Sequence, residues 1–156
     1  MNIDKQAVDF TNAAGGSLAG AVNLLAGNNT VTLAHGSQAA SVFTTGTGDD
    51  RFNLQDIAAN ENATLFDVLD GGQGNDALNL NHSVYTLPDS SKIKGIENVY
   101  LADRSRFTLD HASLDLTAAG SAWNIDSTSQ LIITDDNAMN FASHLAGTGL
   151  VTVDLG

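Results

Sequence analysis

The sequence contains no cysteine, a single proline and few basic residues. Without cysteine, disulfides and thiolate zinc sites are excluded, and the redox compartment stays undetermined. Only six lysines and arginines stand against 18 acidic residues, and they form no basic stripe. This balance argues against binding to nucleic acid or anionic lipid. Membrane insertion is not expected, because the longest weakly polar run, residues 17–27, is too short and too rich in glycine to span a bilayer.

Aromatic residues make up only 6% of the chain, whereas apolar residues make up 42% and charged residues 15%. Such a chain is too apolar for disorder and too weakly charged for a coiled coil. We therefore expect one domain with a core of mainly Leu, Val, Ile and Ala. Among the 18 acidic residues only Glu61 and Glu97 are glutamates. The excess of Asp, together with 15 glycines, predicts many turns, some of them suited to hard cations.

Short runs with apolar residues two positions apart recur from Asn28 onward, each bounded by Gly, Asn, Asp or Ser. This period predicts strands with one buried face. The predicted strands are Thr30–Leu33, Arg51–Leu54, Ala77–Leu80, Val99–Leu101, Phe107–Leu109, Leu114–Leu116, Trp123–Ile125, Leu131–Ile133 and Leu150–Val153. Residues 60–69 and 137–145 are candidates for a helical turn each.

Three segments of the chain repeat one another: residues 27–33, 48–54 and 74–80. Each reads Gly, two Asn or Asp-type residues, then a strand, and residues 147–153 resemble a weaker copy. The repeat distance suits one coil of a β-helix. We therefore predict an all-β fold, a right-handed parallel β-helix or β-roll solenoid forming a single domain over 1–156. Residues 27–156 would form its coils and residues 1–26 a candidate N-terminal cap, either a short helix or a degenerate first coil.

Residues 71–79 match the nonapeptide G-G-x-G-x-D-x-U-x at every specified position, and residues 45–53 match it except for the first glycine. This nonapeptide is the calcium-binding repeat of RTX proteins. Glycines permit a tight turn whose carbonyls point into one cleft, and Asp adds a carboxylate beside them. Because Ca²⁺ takes six to eight oxygen ligands, about half of which one turn can supply, two stacked turns are needed to complete its shell.

We therefore expect the turn at 46–50 to stack on the turn at 72–76. The predicted site consists of Asp50 and Asp76 as carboxylate ligands, Gly46, Gly48, Gly72 and Gly74 as carbonyl donors, and Asp49 and Asp70 as additional ligands. The competing interpretation is that these are plain turns, with Gly for its dihedral angles and Asp for local backbone bonding. The plain turn is preferred at Asn29, because Asn28 and Asn29 carry no charge.

The stretch from Gly71 to about Leu116 resembles a unit of RTX-type (hemolysin-type calcium-binding repeat) bacterial surface proteins, including S-layer proteins and large adhesins. The nonapeptide is followed there by a segment similar to Ile93–Leu101 of this chain, which reads Ile-Lys-Gly-Ile-Glu-Asn-Val-Tyr-Leu. The resemblance implies calcium-dependent folding, type I secretion and an extracellular location at the bacterial cell surface. No cleavable signal is visible at the start, and we expect a fragment of a larger protein.

The expected function is a non-catalytic, calcium-binding structural module of a secreted surface protein, an S-layer protein or an adhesin, that folds and assembles on Ca²⁺. Expected partners are calcium ions and further copies or neighbouring modules of the same protein, with a cell-surface polysaccharide as another candidate. Two alternatives stay open: a non-catalytic module of a secreted polysaccharide-active enzyme or protease, and a β-helix carbohydrate-active enzyme with paired Asp.

Other candidates have simpler explanations in the sequence. The four histidines, His35, His82, His111 and His144, form no metal-type pair and are interpreted as surface or turn residues. A sugar-stacking platform of Trp123, Tyr85 and Tyr100 is conceivable, but core or edge positions are preferred for so few aromatics.

Overall fold

The computed structural model describes residues 7–9, 20–24, 26–34, 41–58, 65–87, 92–109, 122–134 and 145–154. Every regular element in these segments is a β-strand of three to five residues, and none of the segments contains a helix. Along strands such as Thr30–Ala34, Arg51–Gln55 and Asn98–Ala102, burial alternates largely as the period-two sequence pattern dictates, whereas Gln130–Thr134 buries three consecutive residues.

Fifteen strands in the described segments form three sheets, here called sheets I, II and III. Sheet I has the order β1 (Ala7–Asp9), β3 (Thr30–Ala34), β5 (Arg51–Gln55), β7 (Ala77–Asn81), β10 (Asn98–Ala102), β12 (Ala122–Ile125) and β14 (Leu145–Gly147). Sheet II has the order β2 (Gly20–Asn23), β4 (Ser41–Thr44), β6 (Val68–Asp70) and β9 (Lys92–Lys94). Sheet III has the order β8 (Val84–Thr86), β11 (Arg106–Leu109), β13 (Gln130–Thr134) and β15 (Leu150–Asp154).

All strand pairs are parallel, and each strand pairs with its counterpart in the preceding or following coil of the chain. Sheet I runs through the whole stack. Sheet II accompanies it in the first coils and sheet III in the last, and the stretch from β7 to β9 contributes a strand to all three. The chain is therefore a β-solenoid, which confirms the predicted all-β parallel fold.

The core lies inside the coils, where equivalent apolar side chains stack in rows across sheet I. One row is Val31, Phe52, Leu78, Val99 and Trp123, each at most 1% exposed. A second row is Leu33, Leu54, Leu80, Leu101 and Ile125, each at most 2% exposed. Because each side chain contributes about 1.5–3 kcal/mol on full burial, these rows favour one register of the coils over its neighbours.

Eight of the predicted strands are present in the described segments, and Leu114–Leu116 lies outside them. Of the candidate helical turn within 60–69, residues 60–64 lie outside the described segments, residues 65–67 are not helical, and β6 begins at Val68. Residue 145, the end of the second candidate turn, begins β14. In the proposed cap, the described residues form the strands β1 and β2, which favours a first coil over a capping helix.

The apparent fourth copy of the repeat, residues 147–153, belongs to a different corner of the coil. In the three true copies the strand after the glycine turn lies in sheet I, whereas Leu150–Asp154 pairs with β13 in sheet III. The resemblance arises because a glycine with positive φ also precedes a strand at this corner, where Gly147 has φ 102°.

Replacing Leu78 by alanine tests the stacked core. The substitution should lower the free energy of unfolding by about 2–5 kcal/mol, because it leaves a cavity among fully buried neighbours. Urea denaturation in calcium-containing buffer measures the change. The control is Thr86→Ala on the exposed side of β8, which should cost less than about 0.5 kcal/mol. Equal losses in the two variants would contradict the assignment of Leu78 to the core.

Candidate metal centre

Three six-residue connections lead from sheet II into sheet I at one corner of the coil, and we call them turns: residues 24–29, of which residue 25 is outside the described segments, 45–50 and 71–76. The strands that follow them are in register, with Thr30 paired to Arg51 and Arg51 to Ala77. The last residues of the three turns, Asn29, Asp50 and Asp76, therefore stand in line. A fourth and shorter turn places Glu97 in the same line, because Asn98 pairs with Ala77.

The turn at 46–50 lies directly on the turn at 72–76. Thr47 and Gln73 form a parallel bridge, in which the Gln73 N–H donates to the Gly46 carbonyl (2.8 Å). The Gly48 N–H donates in turn to the Gln73 carbonyl (2.9 Å). This is the stacking that the sequence predicts for these turns.

Glycine is required in these turns by dihedral angle and by space. Gly46 and Gly72 have φ of 85° and 84°, a region that L side chains rarely adopt. A Cβ atom at Gly72 would collide with the Gly46 carbonyl oxygen, and one at Gly74 would collide with the Gly48 carbonyl oxygen. The glycines thus let two turns approach until their carbonyls and carboxylates lie together.

A chain of hydrogen bonds links the residues at the turn ends. The Asn29 N–H donates to Asp50 Oδ1 (2.6 Å), the Asp50 N–H to Asp76 Oδ1 (2.7 Å), and the Asp76 N–H to Glu97 Oε2 (2.7 Å). Asp50 is 2% exposed and Asp76 fully buried, while Glu97 is half-buried. We call Asp50, Asp76 and Glu97 the acidic column.

The acidic column has two oxygens without a hydrogen-bond partner. They are Asp50 Oδ2 and Asp76 Oδ2, and both are buried. Leaving a buried polar group unsatisfied costs about 1–3 kcal/mol, and more when it is charged. Lys94, the cation adjoining this corner, pairs with Asp70 Oδ2 (2.8 Å) and not with the column. Two oxygens are thus available to a ligand that the chain itself does not supply.

The electrostatics of the column disfavour its own negative charge. Burial, together with the neighbouring charges of Asp50, Glu97 and Asp49, raises the pKa of Asp76 to about 7, although the hydrogen bond from the Asp50 N–H acts to lower it. At neutral pH the ionised column therefore gains from any positive charge placed among its oxygens.

The opposite corner, between sheets I and III, shows that carboxylates are not needed for this hydrogen-bond pattern. Ser83, Ser105 and Ser129 are buried there in the same kind of line. The Ser83 N–H donates to Ser105 Oγ (3.2 Å), and the Ser105 N–H to Ser129 Oγ (3.1 Å). Neutral hydroxyls complete this ladder. The carboxylates of the column therefore exceed what backbone bonding requires.

The remaining predicted ligands have partners of their own. Asp49 is exposed and accepts a bond from the Asn75 N–H (3.1 Å), while its own N–H donates to Asn28 Oδ1 (3.0 Å). Asp70 accepts from the Gly72 N–H (3.1 Å) besides pairing with Lys94. The predicted set thus divides into a buried pair, Asp50 and Asp76, and two peripheral carboxylates.

Glu97 is the residue of the column that motif reasoning misses, because the nonapeptide contains no glutamate. The repeat itself contains the signal: Asp76 and Glu97 are 21 positions apart, as are Asn29 and Asp50. Since the turn before Glu97 is three residues shorter than the others, the longer Glu side chain is the one that reaches the preceding N–H.

The donor set fits a hard cation. In the described part of the chain no three His, Cys, Asp or Glu side chains converge on one point, so a cation here would take its other ligands from carbonyls. The carbonyls that the sequence predicts for this role are those of Gly46, Gly48, Gly72 and Gly74, in the two turns that end at Asp50 and Asp76. A purely oxygen set of carboxylates and carbonyls is typical of Ca²⁺ and unsuited to softer metals.

Of the other candidates, His82 lies in a turn, is exposed and contacts Asp56 Oδ1 (2.9 Å), which confirms its interpretation as a turn residue. His35, His111 and His144 lie outside the described segments. Trp123 and Tyr85 belong to the core, whereas Tyr100 is 40% exposed.

Comparison of the chain with protein-family models, with curated proteins and with solved structures finds no match. The described segments contain no helix with the length and apolarity needed to cross a membrane. The chemistry of the acidic column therefore carries the functional argument.

The calcium-free protein should lose stability as the pH rises from about 4 to about 7. Because the folded-state pKa of Asp76 is raised from 3.8 to about 7, the folded state holds a proton that the unfolded state releases in this window. The loss should reach at most about 4 kcal/mol and then level off. Thermal unfolding of calcium-depleted protein between pH 4 and pH 8 measures it.

Asp76→Asn should flatten this pH dependence, since the amide cannot ionise. The matched control is Asp126→Asn at the opposite corner. Burial tends to raise the pKa of Asp126, but hydrogen bonds from Ser129, Thr128 and the Asp103 N–H lower it to about 2. Asp126 therefore adds stability above pH 4 that is lost only in strong acid, and its variant should keep the wild-type slope between pH 4 and pH 7. An unchanged slope in Asp76→Asn would contradict the burial argument.

Proposed function

We propose that this chain is a calcium-binding structural module in which the metal neutralises the acidic column and fastens consecutive coils. The observation that carries the proposal is the pair of buried, unpartnered oxygens, Asp50 Oδ2 and Asp76 Oδ2. They stand in a ladder of the same kind as the one that neutral Ser side chains complete at the opposite corner. A cation bound beside these two carboxylates would offset the free-energy cost of burying their charges.

Asp50 and Asp76 would provide the carboxylate ligands, and the carbonyls of the two stacked glycine turns would complete the shell. Ca²⁺ accepts six to eight oxygens in a flexible geometry, whereas Mg²⁺ demands a near-ideal octahedron and retains its waters. Backbone carbonyls fixed by a turn cannot adjust to that octahedron. The arrangement therefore favours Ca²⁺ over Mg²⁺.

Metal binding and folding would be coupled, because the ligands come from turns that belong to different coils. Asp50 and Asp76 are 26 positions apart and meet only when the coils stack. An unfolded chain presents no such site, so the free energy of binding adds to that of folding. The net charge of −12 acts in the same direction, since it opposes compaction until cations neutralise part of it.

This coupling suits a protein exported through the type I route and used at the bacterial surface, as the RTX resemblance implies. In a calcium-poor cytosol the folding equilibrium would shift towards the unfolded, exportable chain, and millimolar calcium outside would shift it towards the folded state. An S-layer or adhesin module is the role proposed. Parallel sheets that end in unpaired edges would let neighbouring modules or further copies dock end to end.

The placement of the carboxylates supports a non-catalytic role over a β-helix enzyme. A glycosidase needs two carboxyl groups facing each other across a cleft open to sugar. The described acidic side chains instead lie at corners and strand ends, such as Asp56 and Asp103 in turns and Asp70 at the end of β6. A module attached to a secreted enzyme would share this arrangement, so it stays an alternative setting for the same calcium chemistry.

Calcium titration into calcium-depleted protein at pH 7.5 tests the proposal. Circular dichroism should show a gain of β signal, and calorimetry should show binding, with Ca²⁺ and not with equal Mg²⁺. At a calcium concentration of one hundred times Kd, the free energy of unfolding should rise by about 2.7 kcal/mol.

Substitutions in the acidic column should have opposite effects on calcium affinity and on the stability of the calcium-free protein. Asp50→Asn and Asp76→Asn should each weaken calcium binding at least tenfold, and yet make the calcium-free fold more stable at pH 8 by removing a buried charge. Asp126→Asn should leave calcium binding unchanged, because its carboxylate already accepts three bonds. A protein that folds fully without calcium and shows no heat of binding would refute the proposal.

A further inference from the structure

The outward face of sheet I carries a line of polar side chains across successive strands. Strand register places them opposite one another in the order Thr32, Asn53, Asn79, Tyr100 and Asn124, here called the amide row. Beside it runs a second row, Gln55, Asn81 and Ala102. Because residues on either side of each amide-row position point into the core, both rows face solvent.

Neither row contains a charged residue, although the chain carries a net charge of −12. The charged side chains of this face lie at its margins, Arg51 at the start of β5 and Asp126 after β12, so the two rows themselves offer little attraction to ions, nucleic acid or charged lipid. Its partner should therefore be uncharged and hydrophilic.

The amides of the row are oriented by one another. Asn79 Nδ2 donates to Asn53 Oδ1 (2.8 Å), and Asn53 Nδ2 donates to Thr32 Oγ1 (3.4 Å). Each amide nitrogen carries a second N–H, and each amide oxygen a second lone pair, that a ligand can use. Paired donors and acceptors held at strand spacing match the hydroxyl groups of a sugar, which donate and accept alike.

Tyr100 stands in the middle of this face, between two shallow depressions. One depression, of about 360 Å³, is lined by side chains such as Asn53, Asn79 and Asn81. The other, of about 440 Å³, is lined by Asn124, Asp126 and Thr148 among others. Both depressions include Tyr100, and its ring is 40% exposed. Each is in the size range of small-ligand sites.

We propose that this face binds an uncharged polysaccharide laid across the strands, with a sugar ring stacked on Tyr100 and hydroxyls bonded to the amides on either side. From β5 to β12 the row crosses three strand spacings, or about 14 Å, so the ligand is an oligosaccharide segment and not a single sugar. This site is separate from the acidic column, which lies at the corner beside the sheet, and it does not depend on the calcium proposal.

A protein partner fits this face less well. The centre of a protein interface is apolar, with several aromatic or Arg anchors. Here Tyr100 is the sole exposed large apolar side chain on the described part of sheet I; the other one in the described segments, Leu150, lies on sheet III. An amide surface around one aromatic ring is suited to hydroxyl groups.

Binding of a defined set of neutral oligosaccharides, namely cellohexaose, laminarihexaose and mannohexaose, tests the proposal, with hexagalacturonic acid as the charged comparison. The full chain is used in saturating calcium, so that folding is not the variable. Saturation-transfer NMR and calorimetry should detect at least one neutral ligand and not the acidic one. Tyr100→Ala should weaken binding about tenfold, and Asn79→Ala should weaken it as well.

Leu150→Ala is the matched control, because it removes an exposed apolar side chain, 60% exposed, from sheet III. Its affinity should equal that of the wild type. Absence of binding to all three neutral ligands overturns the proposal, and so does binding that survives both Tyr100→Ala and Asn79→Ala. If no neutral sugar binds and Tyr100→Ala instead abolishes self-association in sedimentation, the face is an interface between copies, which also overturns it.

Discussion

Parallel stacking in register is the constraint on which the rest of the molecule depends. Because Thr30 lies over Arg51 and Arg51 over Ala77, any residue type that recurs at one coil position becomes a column of like side chains. Apolar positions become the rows that form the core, where like neighbours pack well. At a corner, the same geometry brings carboxylates together that repel one another. The residue type at one coil position therefore determines the chemistry of a whole row of side chains.

The two corners of the coil use different side chains to accept the backbone N–H groups. At the corner of Ser83 and Ser105, neutral hydroxyls accept the backbone N–H groups and leave no charge behind. At the corner of Asp50 and Asp76, carboxylates accept the same kind of bond and keep one unpartnered oxygen each. Without a counter-ion the second corner is the weaker one, and burial with mutual repulsion raises the pKa of Asp76 to about 7. On the proposed calcium binding, such a corner would hold the coils more firmly when a cation neutralises it, an effect that a neutral corner would lack.

Sequence periodicity predicts the solenoid and the stacked glycine turns, because period-two burial and a repeated turn motif are local signals. It misses short strands such as β8 and β9, which have three residues and too little pattern to be distinguished from loops. It misassigns residues 147–153, because a glycine before a strand looks the same at either corner. The motif does not predict Glu97 for a different reason. The turn before Glu97 is three residues shorter than the others, and a glutamate stands there at the position that the motif assigns to aspartate.

The most direct test of the acidic column as a cation site is a crystal structure grown in calcium, with data collected for anomalous scattering. We predict an anomalous peak at the corner between the two stacked turns, within about 2.3–2.6 Å of carboxylate oxygens of Asp50 and Asp76. The Oδ2 atoms that have no hydrogen-bond partner would then be ligands. An intact column with no anomalous density beside those oxygens, at calcium concentrations of the extracellular range, would contradict the account.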